Sequence, residues 1–581
     1  MTASPAPTSR LSLRDVLKSS KSLLAGVALF SVLINVLMLT GSMFMLEVYD
    51  RALPSRSIPT LLGLLAIALL MYLSLGVLES FRARILSRIG AGFDFNMAGR
   101  AYDLLLDLPL RLGLRGETAQ PVRDLDAIRS FLTGLGPTAV FDLPWVPFYI
   151  GLCFLFHVWI GVTATAGVII LAILTLATEL LTKRPAAQAA AVHGQRLSSA
   201  DRDRRNAEVI AAMGLKQHLK AKWLSASRTH LDANLAMTDL TGTIGTISKV
   251  FRMVLQSTVL AVGALLVMRQ EATAGIIIAS SIISGRALAP IDLAIGNWKP
   301  FMAARSAWTR LSKLCDQLPL ATPPMALPAP FKTLAVEGVT IVPPGETKIV
   351  AAELMFSLPA GSGLGVIGPS ASGKSSLART LAAVWPAARG RIRLDGAELG
   401  QWDRTALGRH IGYLPQDVEL MAGTIAENIA RFDPEAPPET IIAAATTAGI
   451  HEMILEMKDG YSTRIGDRGA GLSAGQQQRI ALARTLYGNP FLVVLDEPNS
   501  NLDSEGDIAL AKAIKTFREQ GSIVVIIAHR HNALASVDHI LAMNNGRQMA
   551  FGPRDEVLKK LIGKNPAGPG PLTIVPEAAQ S

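Results

Sequence analysis

The sequence predicts an α-helical domain with six membrane spans, followed by an α/β domain that carries a phosphate-binding loop. Three observations support this fold class. First, 50% of the 581 residues are hydrophobic and only 18% are charged, and the mean hydropathy of +0.34 is high for a soluble protein. Second, the apolar excess lies before residue 300, in separate long runs. Third, a glycine-rich motif with a lysine follows at Gly368–Ser375.

Six apolar runs are long enough to cross a hydrocarbon core of about 30 Å at about 1.5 Å per residue. Residues 1–21 before them are polar and basic, and they predict a short cytoplasmic lead-in. The first run is too long for a cleavable signal peptide, so we predict that it is retained. The predicted spans are Leu23–Val48, Ile58–Leu78, Ala139–Phe156, Trp159–Leu181, Val250–Met268 and Ala274–Ile295.

Lys and Arg concentrate in the N-terminus and in two long loops, and they are scarce in the short turns. The positive-inside rule therefore predicts that these segments and the α/β domain are cytoplasmic. This distribution also explains the net charge of +10 without a nucleic-acid partner, because no aromatic-interleaved basic groove or RNA-binding signature is present. The two cysteines, Cys153 and Cys315, suggest neither a disulfide framework nor a metal site.

The two long loops, between spans two and three and between spans four and five, are rich in helix-forming charged residues. We expect each loop to form two antiparallel helices that extend into the cytoplasm, with tips near Leu112–Gly116 and Met213–Lys216. One interpretation is that both tips are short coupling helices that dock on the α/β domain. The alternative is that they are only turns.

The motif Gly368-Pro369-Ser370-Ala371-Ser372-Gly373-Lys374-Ser375 matches G-x-x-x-x-G-K-[ST] at every fixed position. Its glycines allow backbone N–H groups to point at a phosphate chain, and the following helix adds its positive dipole end. Lys374 would supply a charge to the β- and γ-phosphates, and Ser375 a hydroxyl to Mg²⁺. We predict that the loop, including Ser376, binds ATP.

An apolar strand, Phe491–Leu495, ends in the carboxylates Asp496 and Glu497. A carboxylate at the position of Asp496 can hold Mg²⁺. The next residue, Glu497, can orient and deprotonate a water molecule for attack on the γ-phosphate. This pair and the phosphate-binding loop together predict an enzyme that hydrolyses ATP.

Four further motifs resemble those of ATP-binding cassette (ABC) ATPases. Leu472-Ser473-Ala474-Gly475-Gln476 resembles the LSGGQ signature, with Ala474 in place of a glycine. Gln416 resembles the Q-loop glutamine, Ser500–Asp503 the D-loop, and His529 the switch histidine. The resemblance implies catalytic roles for Glu497, His529 and Gln416, ATP contacts from Ser473, Gly475 and Gln476, and Mg²⁺ contacts from Ser375, Gln416 and Asp496.

The resemblance also implies the architecture: a six-span α-helical transmembrane domain of the ABC exporter type, fused to a C-terminal α/β P-loop ABC ATPase domain. We expect a lead-in at 1–21, the membrane domain at 22–317, a Pro/Ala-rich linker at 318–330, the ATPase at 331–562 and a disordered tail at 563–581. In ABC ATPases the signature motif caps the γ-phosphate bound by the opposite subunit. One cassette per chain therefore implies a homodimer with two ATP molecules at its interface.

Two positions depart from the ABC pattern. The region Val339–Gly345, where an aromatic residue usually stacks on adenine, contains none. Stacking is then lost, supplied by proline or supplied elsewhere, and we expect weaker discrimination among bases. Ala474 adds a methyl group to the signature motif, and we expect it to be tolerated because Ser473 and Gly475 are intact.

Three segments of the membrane domain resemble type I secretion permease/ATPases of the PrtD kind: Met45–Arg56, Phe141–Pro147 and Ala287–Pro290. This resemblance implies ATP-driven export of unfolded proteins with an uncleaved C-terminal signal across the bacterial inner membrane. It implies as partners a periplasmic adaptor (membrane fusion protein), a TolC-like outer-membrane channel, the cargo and the lipid bilayer. With about 21 residues before the first span, we expect no N-terminal peptidase domain.

Two other functions remain open from the sequence. An exporter of lipids, drugs or other small amphiphiles would share the same plan of six spans and a cassette. A regulatory or channel-like membrane protein would bind ATP without hydrolysis, but Glu497 and His529 are both present and disfavour it.

Several charged residues lie in or near the predicted spans, where an unpaired charge is costly. We expect Glu79 and Glu179 to lie at cytoplasmic span ends that solvent reaches. For Arg286 and Asp292 two roles remain open, lining a pathway or pairing between helices. The other charged residues of this set are Glu47 and Asp142.

Overall fold

The computed structural model describes residues 13–113, 120–319, 327–466, 469, 471–502, 504–528 and 534–563. These residues form two compact units. One contains residues 13–107 and 120–319, and the other contains 108–113 and 327–563.

The first unit is α-helical. A π-helical turn at Val48–Ala52 and a 3₁₀ turn at Leu143–Trp145 interrupt two of its segments. The helices are α1 Leu13–Ser19, α2 Lys21–Leu37, α3 Thr40–Glu47, α4 Leu53–Ser55, α5 Ile58–Arg111, α6 Gln120–Thr133, α7 Gly136–Asp142, α8 Val146–Phe156, α9 Val158–Arg205, α10 Ala207–Ala212, α11 Lys216–Met268, α12 Ala274–Gly296 and α13 Trp298–Gln317.

Among the described residues, six helical segments are long and apolar enough to cross a membrane. They are Lys21–Ser55, Ile58–Arg111, Gly136–Phe156, Val158–Arg205, Lys216–Met268 and Ala274–Gly296, and each contains one predicted span. Helices α5, α9 and α11 have 54, 48 and 53 residues, so each continues well beyond the thickness of a bilayer. The protein is a multi-pass membrane protein.

The two long loops differ from each other. The second forms the expected pair of long helices, because α9 and α11 pack along each other. In the first, α5 runs unbroken to Arg111, but the returning arm is interrupted between α6 and α7. Gly134 and Gly136 disfavour a continuous helix, and Gly136 lies so close to the Phe131 ring that a side chain there would overlap it. The first loop therefore contains the end of α5 and the shorter helix α6, with a break before α7.

The membrane unit packs around a core formed by α8, α9, α11 and α12. Small residues let these helices approach closely, as in other membrane bundles. Gly167 of α9 faces the side chain of Leu255 in α11, and Gly161 faces the ring of Phe154 in α8. Helix α12 buries Ala279, Ser280, Ser281, Ser284 and Ala287.

The second unit is a mixed α/β domain. Its strands are β1 Thr333–Ile341, β2 Ala351–Pro359, β3 Gly363–Ile367, β4 Arg389–Leu394, β5 Ala397–Glu398, β6 Ile411–Leu414, β7 Gly423–Thr424, β8 Arg464–Ile465, β9 Leu492–Asp496, β10 Ile523–Ile527, β11 His539–Asn544 and β12 Arg547–Pro553. Its helices are α14 Lys374–Leu381, α15 Arg404–His410, α16 Ile425–Ile429, α17 Pro438–Thr447, α18 His451–Leu455, α19 Ala474–Leu486, α20 Ser504–Glu519 and α21 Arg554–Gly563.

The main sheet of this unit has the strand order β5-β4-β1-β2-β12-β11-β3-β10-β9-β6. The neighbours β11-β3-β10-β9-β6 are all parallel. Strands β9 and β10 are runs of buried Val, Ile and Leu, as expected for parallel strands covered on both faces. The carboxyl ends of β3, β10, β9 and β6 therefore meet at one edge, which is where ligands bind in such sheets.

The domain limits predicted from the sequence remain predictions. Helix α13 ends at Gln317 and β1 begins at Thr333, close to the expected ends of the linker. Residues 320–326 of the predicted linker and 564–581 of the predicted tail lie outside the described residues.

Candidate nucleotide site

The phosphate-binding loop connects β3 to α14, as the motif predicts. Gly368 has a φ of +154° and Gly373 a φ of +93°, conformations that side chains disfavour. A Cβ at Gly368 would overlap the carbonyl oxygen of Met543, and one at Gly373 would lie 2.6 Å from that of Val350. Helix α14 starts at Lys374, so its unpaired first N–H groups point back toward the loop. This geometry is suited to holding a phosphate chain.

Lys374 lies across this loop and is only 6% exposed. Its Nζ donates hydrogen bonds to the carbonyl oxygens of Gly368 and Pro369, at 2.9 and 2.8 Å. Burial lowers the pKa of Lys374, although the nearby carboxylates of Glu497 and Asp496 oppose this shift. Ser372 Oγ is buried and has no hydrogen-bond partner among the described residues. A phosphate oxygen would satisfy both groups.

Asp496 ends β9 next to Ser375, the second residue of α14. Ser375 Oγ donates a hydrogen bond to Asp496 Oδ1 at 3.2 Å. Burial raises the pKa of Asp496, and the bond from Ser375 partly offsets this. Asp496 Oδ2 is buried and lacks a hydrogen-bond partner in the described part of the chain. A carboxylate oxygen beside a hydroxyl oxygen is a donor set that Mg²⁺ prefers, so these residues fit the metal.

Glu497 follows in a left-handed conformation with a φ of +52°, which is unusual for a residue with a side chain. Its N–H donates to the carbonyl oxygen of Ile527 at 3.0 Å, and this bond holds Glu497 against the end of β10. Gln416 Nε2 donates to Glu497 Oε2 at 3.2 Å. The two residues meet because the parallel neighbours β6 and β9 end side by side. Backbone strain of this kind is typical of functional residues.

The signature-like motif forms the start of α19. Ser473 is the N-cap: its Oγ accepts from the Gln476 N–H at 3.3 Å, and Gln476 Oε1 accepts from the Ser473 N–H at 2.9 Å. A Cβ at Gly475 would lie 3.0 Å from the carbonyl oxygen of Asn501. None of the described contacts of Ser473, Gly475 or Gln476 is with the phosphate-binding loop. Within one chain, these three predicted ATP contacts are therefore not joined to the others.

Two predicted residues lie outside the described residues: His529, the expected switch histidine, and Asp503 of the D-loop. What stacks on adenine also remains open. Pro343 occupies the region expected to hold the aromatic residue, and it is buried.

Residues 108–113 belong to the second unit, where they pack on the loop 343–345. A Cβ at Gly113 would overlap the carbonyl oxygen of Pro344, and one at Gly345 would lie 2.6 Å from that of Leu112. Both glycines have positive φ angles, +65° and +77°. Leu112 and Gly113 are the described residues of the first predicted tip, whose docking role stays a prediction. At the second tip, a Cβ at Gly214 would have no described atom within 4 Å apart from those of its chain neighbours.

The membrane unit contains a buried polar cluster that the sequence did not reveal. Asp142 accepts hydrogen bonds from Arg82 Nη1, at 3.1 Å to Oδ1 and 3.2 Å to Oδ2, and from Asn35 Nδ2 at 2.9 Å. Arg82 also donates to Ser31 Oγ, and the Tyr149 hydroxyl donates to Asn35 Oδ1. We call these five residues the Arg82–Asp142 cluster. It joins α2, α5, α7 and α8.

The cluster was missed because sequence separation hides it. Arg82 follows the second predicted span among many other basic residues, a pattern that predicts a cytoplasmic loop. Its partner Asp142 is 60 residues away. The available signals were Asn35 within an apolar run and Asp142 in a span, both of which need a partner.

The two charged residues of the sixth span, Arg286 and Asp292, have different surroundings. Asp292 Oδ2 lies 2.6 Å from Arg252 Nη1 of α11, so Asp292 pairs between helices. Arg286 is exposed, and its Nη1 donates a hydrogen bond to the Met38 sulfur at 3.9 Å. Glu179, expected to be solvated at a span end, is paired with Arg305 at 3.3 Å.

Comparisons with known proteins agree with this geometry. A family model described as ABC transporter matches residues 351–500, and one described as ABC transporter transmembrane region matches residues 24–288. The chain is 53% identical to the type I secretion system ATP-binding protein PrsD of Rhizobium meliloti (strain 1021), over 94% of each chain. It is 28% identical to the leukotoxin translocation ATP-binding protein LktB of Mannheimia haemolytica, over 92% of this chain and 76% of that one.

A solved structure of a bacterial Atm1-family ABC exporter with ATP bound has the same fold, with a TM-score of 0.80 at 22% identity. It covers 93% of this chain and 96% of that one. Both resemblances stated from the sequence are confirmed, as are the predicted fold class and the ABC-type ATPase domain. The chain belongs to the ABC transporters and, within them, to the type I secretion ATP-binding proteins.

Proposed function

We propose that this chain is the combined permease and ATPase of a type I secretion system. It uses ATP hydrolysis to export unfolded proteins that carry an uncleaved C-terminal signal across the inner membrane of a bacterium. The observation that carries the proposal is the 53% identity to PrsD over 94% of the chain, because it extends over both the membrane unit and the ATPase unit. The agreement of fold with an exporter supports the same class of activity.

The ATPase site has the following proposed roles. Gly368, Pro369, Ser370, Ala371, Ser372, Gly373, Lys374, Ser375 and Ser376 bind the phosphates of ATP. Ser375, Asp496 and Gln416 hold Mg²⁺, which when bound neutralises charge on the phosphates. Glu497 accepts a proton from the attacking water, Gln416 holds the Glu497 carboxylate in place, and His529 completes the catalytic set.

The signature residues require a second chain in this proposal. Ser473, Gly475 and Gln476 make no described contact with the phosphate-binding loop of their own chain. Their N–H groups and hydroxyl lie at an exposed helix N-terminus, which is suited to binding an anion. A homodimer in which each chain offers these residues to its partner's ATP satisfies both facts. Loss of the γ-phosphate on hydrolysis then weakens the interface and permits the helices to rearrange.

The proposed orientation follows from charge. The basic N-terminus and both long loops, at the ends of α5, α9 and α11, lie in the cytoplasm with the ATPase domain. The short turns face the periplasm, where a periplasmic adaptor and a TolC-like outer-membrane channel complete the secretion path. The domain limits proposed for this arrangement are 22–317 for the membrane domain, 331–562 for the ATPase, 318–330 for the linker, 1–21 for the lead-in and 563–581 for the tail.

The test compares the proteins in the medium of cells that carry the intact chain or the Glu497→Gln variant. Glutamine keeps the shape of the side chain but cannot accept a proton, so ATP binds and turnover stops. Glu519→Gln is the matched control, because Glu519 is an exposed glutamate on α20 paired only with Lys515 among the described residues. In cells that carry Glu497→Gln, we expect one or a few proteins to be missing from the medium and to accumulate inside the cells at full length. Cells that carry Glu519→Gln should secrete them normally.

The opposite outcome is equally defined. If the secreted proteins are unchanged while lipid distribution or drug sensitivity shifts, the chain exports small amphiphiles instead. If Glu519→Gln abolishes secretion as well, the loss does not come from the proposed base.

A further inference from the structure

Gln478 lies in α19, two residues beyond the signature-like motif, and is only 2% exposed. Its Nε2 donates hydrogen bonds to the Pro498 carbonyl oxygen and, at 3.4 Å, to Ser500 Oγ. Its Oε1 accepts a hydrogen bond from the Asn501 N–H at 2.9 Å. One buried amide therefore binds both sides of the turn that follows Glu497, with its donor and its acceptor both satisfied.

That turn begins at Glu497, the proposed catalytic base, whose backbone has a left-handed conformation. The Ser500 N–H donates to the Glu497 carbonyl oxygen at 3.3 Å. On the other side, Asn499 Nδ2 donates to Asp507 Oδ1 of α20 at 2.8 Å. The turn is thus held between α19, through Gln478, and α20. A displacement of α19 changes the position of the residues next to Glu497.

The first turn of α19 touches the same segment. Gly475 approaches Asn501 so closely that a Cβ would lie 3.0 Å from the Asn501 carbonyl oxygen. Ser473 and Gln476 are locked to the end of α19 by their reciprocal hydrogen bonds. The signature residues and the turn after Glu497 are therefore packed as one body, with Gln478 as its buried side-chain link.

We propose that Gln478 is a positioning residue that couples the two ATP sites of the homodimer. This inference rests on the proposed function, in which Ser473 acts at the partner's ATP while Glu497 acts at its own chain's ATP. Binding of ATP to the partner's loop fixes α19 through Ser473 and Gly475. Gln478 transmits that position to the turn at Glu497, so each site becomes competent when the other is filled.

The test measures the ATP dependence of hydrolysis by the purified full-length chain in lipid nanodiscs, with Mg²⁺ present. Gln478→Leu removes both hydrogen-bonding groups at similar size. Gln478→Asn keeps an uncharged amide but is shorter by one methylene group, so it weakens the contacts with Pro498 and Asn501 without burying a charge. Gln477→Leu is the matched control, because Gln477 donates to the carbonyl oxygens of Gly469 and Leu472, away from the turn.

We expect the intact chain to hydrolyse ATP with a Hill coefficient above about one. The upper limit for a pair of coupled sites is about two. In Gln478→Leu the coefficient falls to about one and kcat falls about tenfold, while binding of a fluorescent ATP analogue changes less than about twofold. Gln478→Asn is intermediate, which keeps the test valid if Gln478→Leu does not fold. Gln477→Leu keeps the cooperativity of the intact chain.

Three results would overturn the inference. They are non-cooperative hydrolysis by the intact chain, unchanged cooperativity in both Gln478 variants, and an equal loss in Gln477→Leu. None of these results bears on export itself, which the Glu497→Gln comparison of secreted proteins tests in cells. The two failures are therefore distinguishable.

Discussion

Each of the two units buries an aspartate, and the two aspartates are satisfied in opposite ways. Asp142 in the membrane unit is 8% exposed, and both of its oxygens accept hydrogen bonds, from Arg82 and Asn35. Asp496 in the ATPase unit is 1% exposed, and one bond from Ser375 is its only described hydrogen bond. Burying a carboxylate is costly unless a cation and hydrogen bonds compensate it.

The difference distinguishes an aspartate that holds helices together, Asp142, from one that is suited to binding a ligand, Asp496. The chain compensates Asp142 completely with its own groups, so Asp142 serves to hold helices together. It leaves one oxygen of Asp496 without a donor among the described residues, next to a hydroxyl and a phosphate-binding loop, as the proposed Mg²⁺ site requires. The same residue type is therefore fully paired within the chain in one unit and is the proposed ligand of a cation in the other.

The largest expected effect comes from Asp496→Asn. Removal of the carboxylate weakens Mg²⁺ binding, so Mg²⁺-dependent ATP hydrolysis should fall by about 10³-fold. Because the carboxylate is under-compensated, the variant should unfold at an equal or higher temperature than the intact chain without Mg²⁺ and ATP. Phosphate-release assays and thermal unfolding of the purified chain measure the two quantities.

Asp403→Asn is the matched control for this prediction. Asp403 accepts the Ala406 N–H at the start of α15, and asparagine caps helices equally well. A lower unfolding temperature for Asp496→Asn would show that Asp496 stabilises the fold as Asp142 does. It would contradict the proposed difference between the two aspartates.

Much of the ATPase site could be predicted because its chemistry is local in sequence. The loop at Gly368–Ser375 and the pair Asp496–Glu497 each combine a strand end with the residues that follow it, and parallel pairing then brings them together. The six spans were predictable for a similar reason, since about 20 apolar residues have few alternatives. Long-range partners were not predictable: nothing near Arg82 indicates Asp142, and nothing near Gln478 indicates Pro498.

The second prediction concerns Arg82→Ala, which leaves the Asp142 carboxylate buried without its cation. We expect a loss of about 3 kcal/mol in the free energy of unfolding, seen as a lower unfolding temperature in nanodiscs. The double variant Arg82→Met with Asp142→Leu removes both charges and should recover most of the loss. Arg84→Ala, an exposed neighbour on α5, is the control and should have little effect. If the double variant is no better than the single one, the charge pair is not the cause.

The third prediction uses the half-buried pair Arg252–Asp292, whose side chains are 38% and 25% exposed. Because both side chains are only partly buried, Asp292→Leu should cost only about 1 kcal/mol of unfolding free energy. Arg286→Leu, on the same helix, should leave unfolding unchanged, since Arg286 pairs with no carboxylate in the described part of the chain. Thermal unfolding checks both variants, and secretion measured in parallel shows whether Arg286 lines the pathway. Unchanged transport in both leucine variants would exclude that role.

The smallest effect is expected at Asp395, a carboxylate satisfied by backbone rather than by a cation. It accepts N–H groups of Phe331, Lys332 and Thr333 at 2.7, 2.9 and 2.7 Å. Partial desolvation acts to raise the pKa of Asp395, but these three bonds and the charge of Lys332 lower it overall.

A carboxyl whose folded pKa lies below its unfolded value stabilises the fold above the unfolded pKa, and that stability is lost as the pH falls through the folded pKa. Asp395→Asn should therefore cost about 0.5 kcal/mol at neutral pH, a small value because solvent screens the group. The difference from the intact chain should vanish under acidic conditions. Unfolding temperatures of the two proteins, compared from about pH 3 to about pH 7, measure this difference. The range includes the ordinary carboxyl pKa of about 4. A difference that persists unchanged at the acidic end would mean that the charge of Asp395 contributes nothing, and that even a carboxylate satisfied by the chain acts here only through its shape.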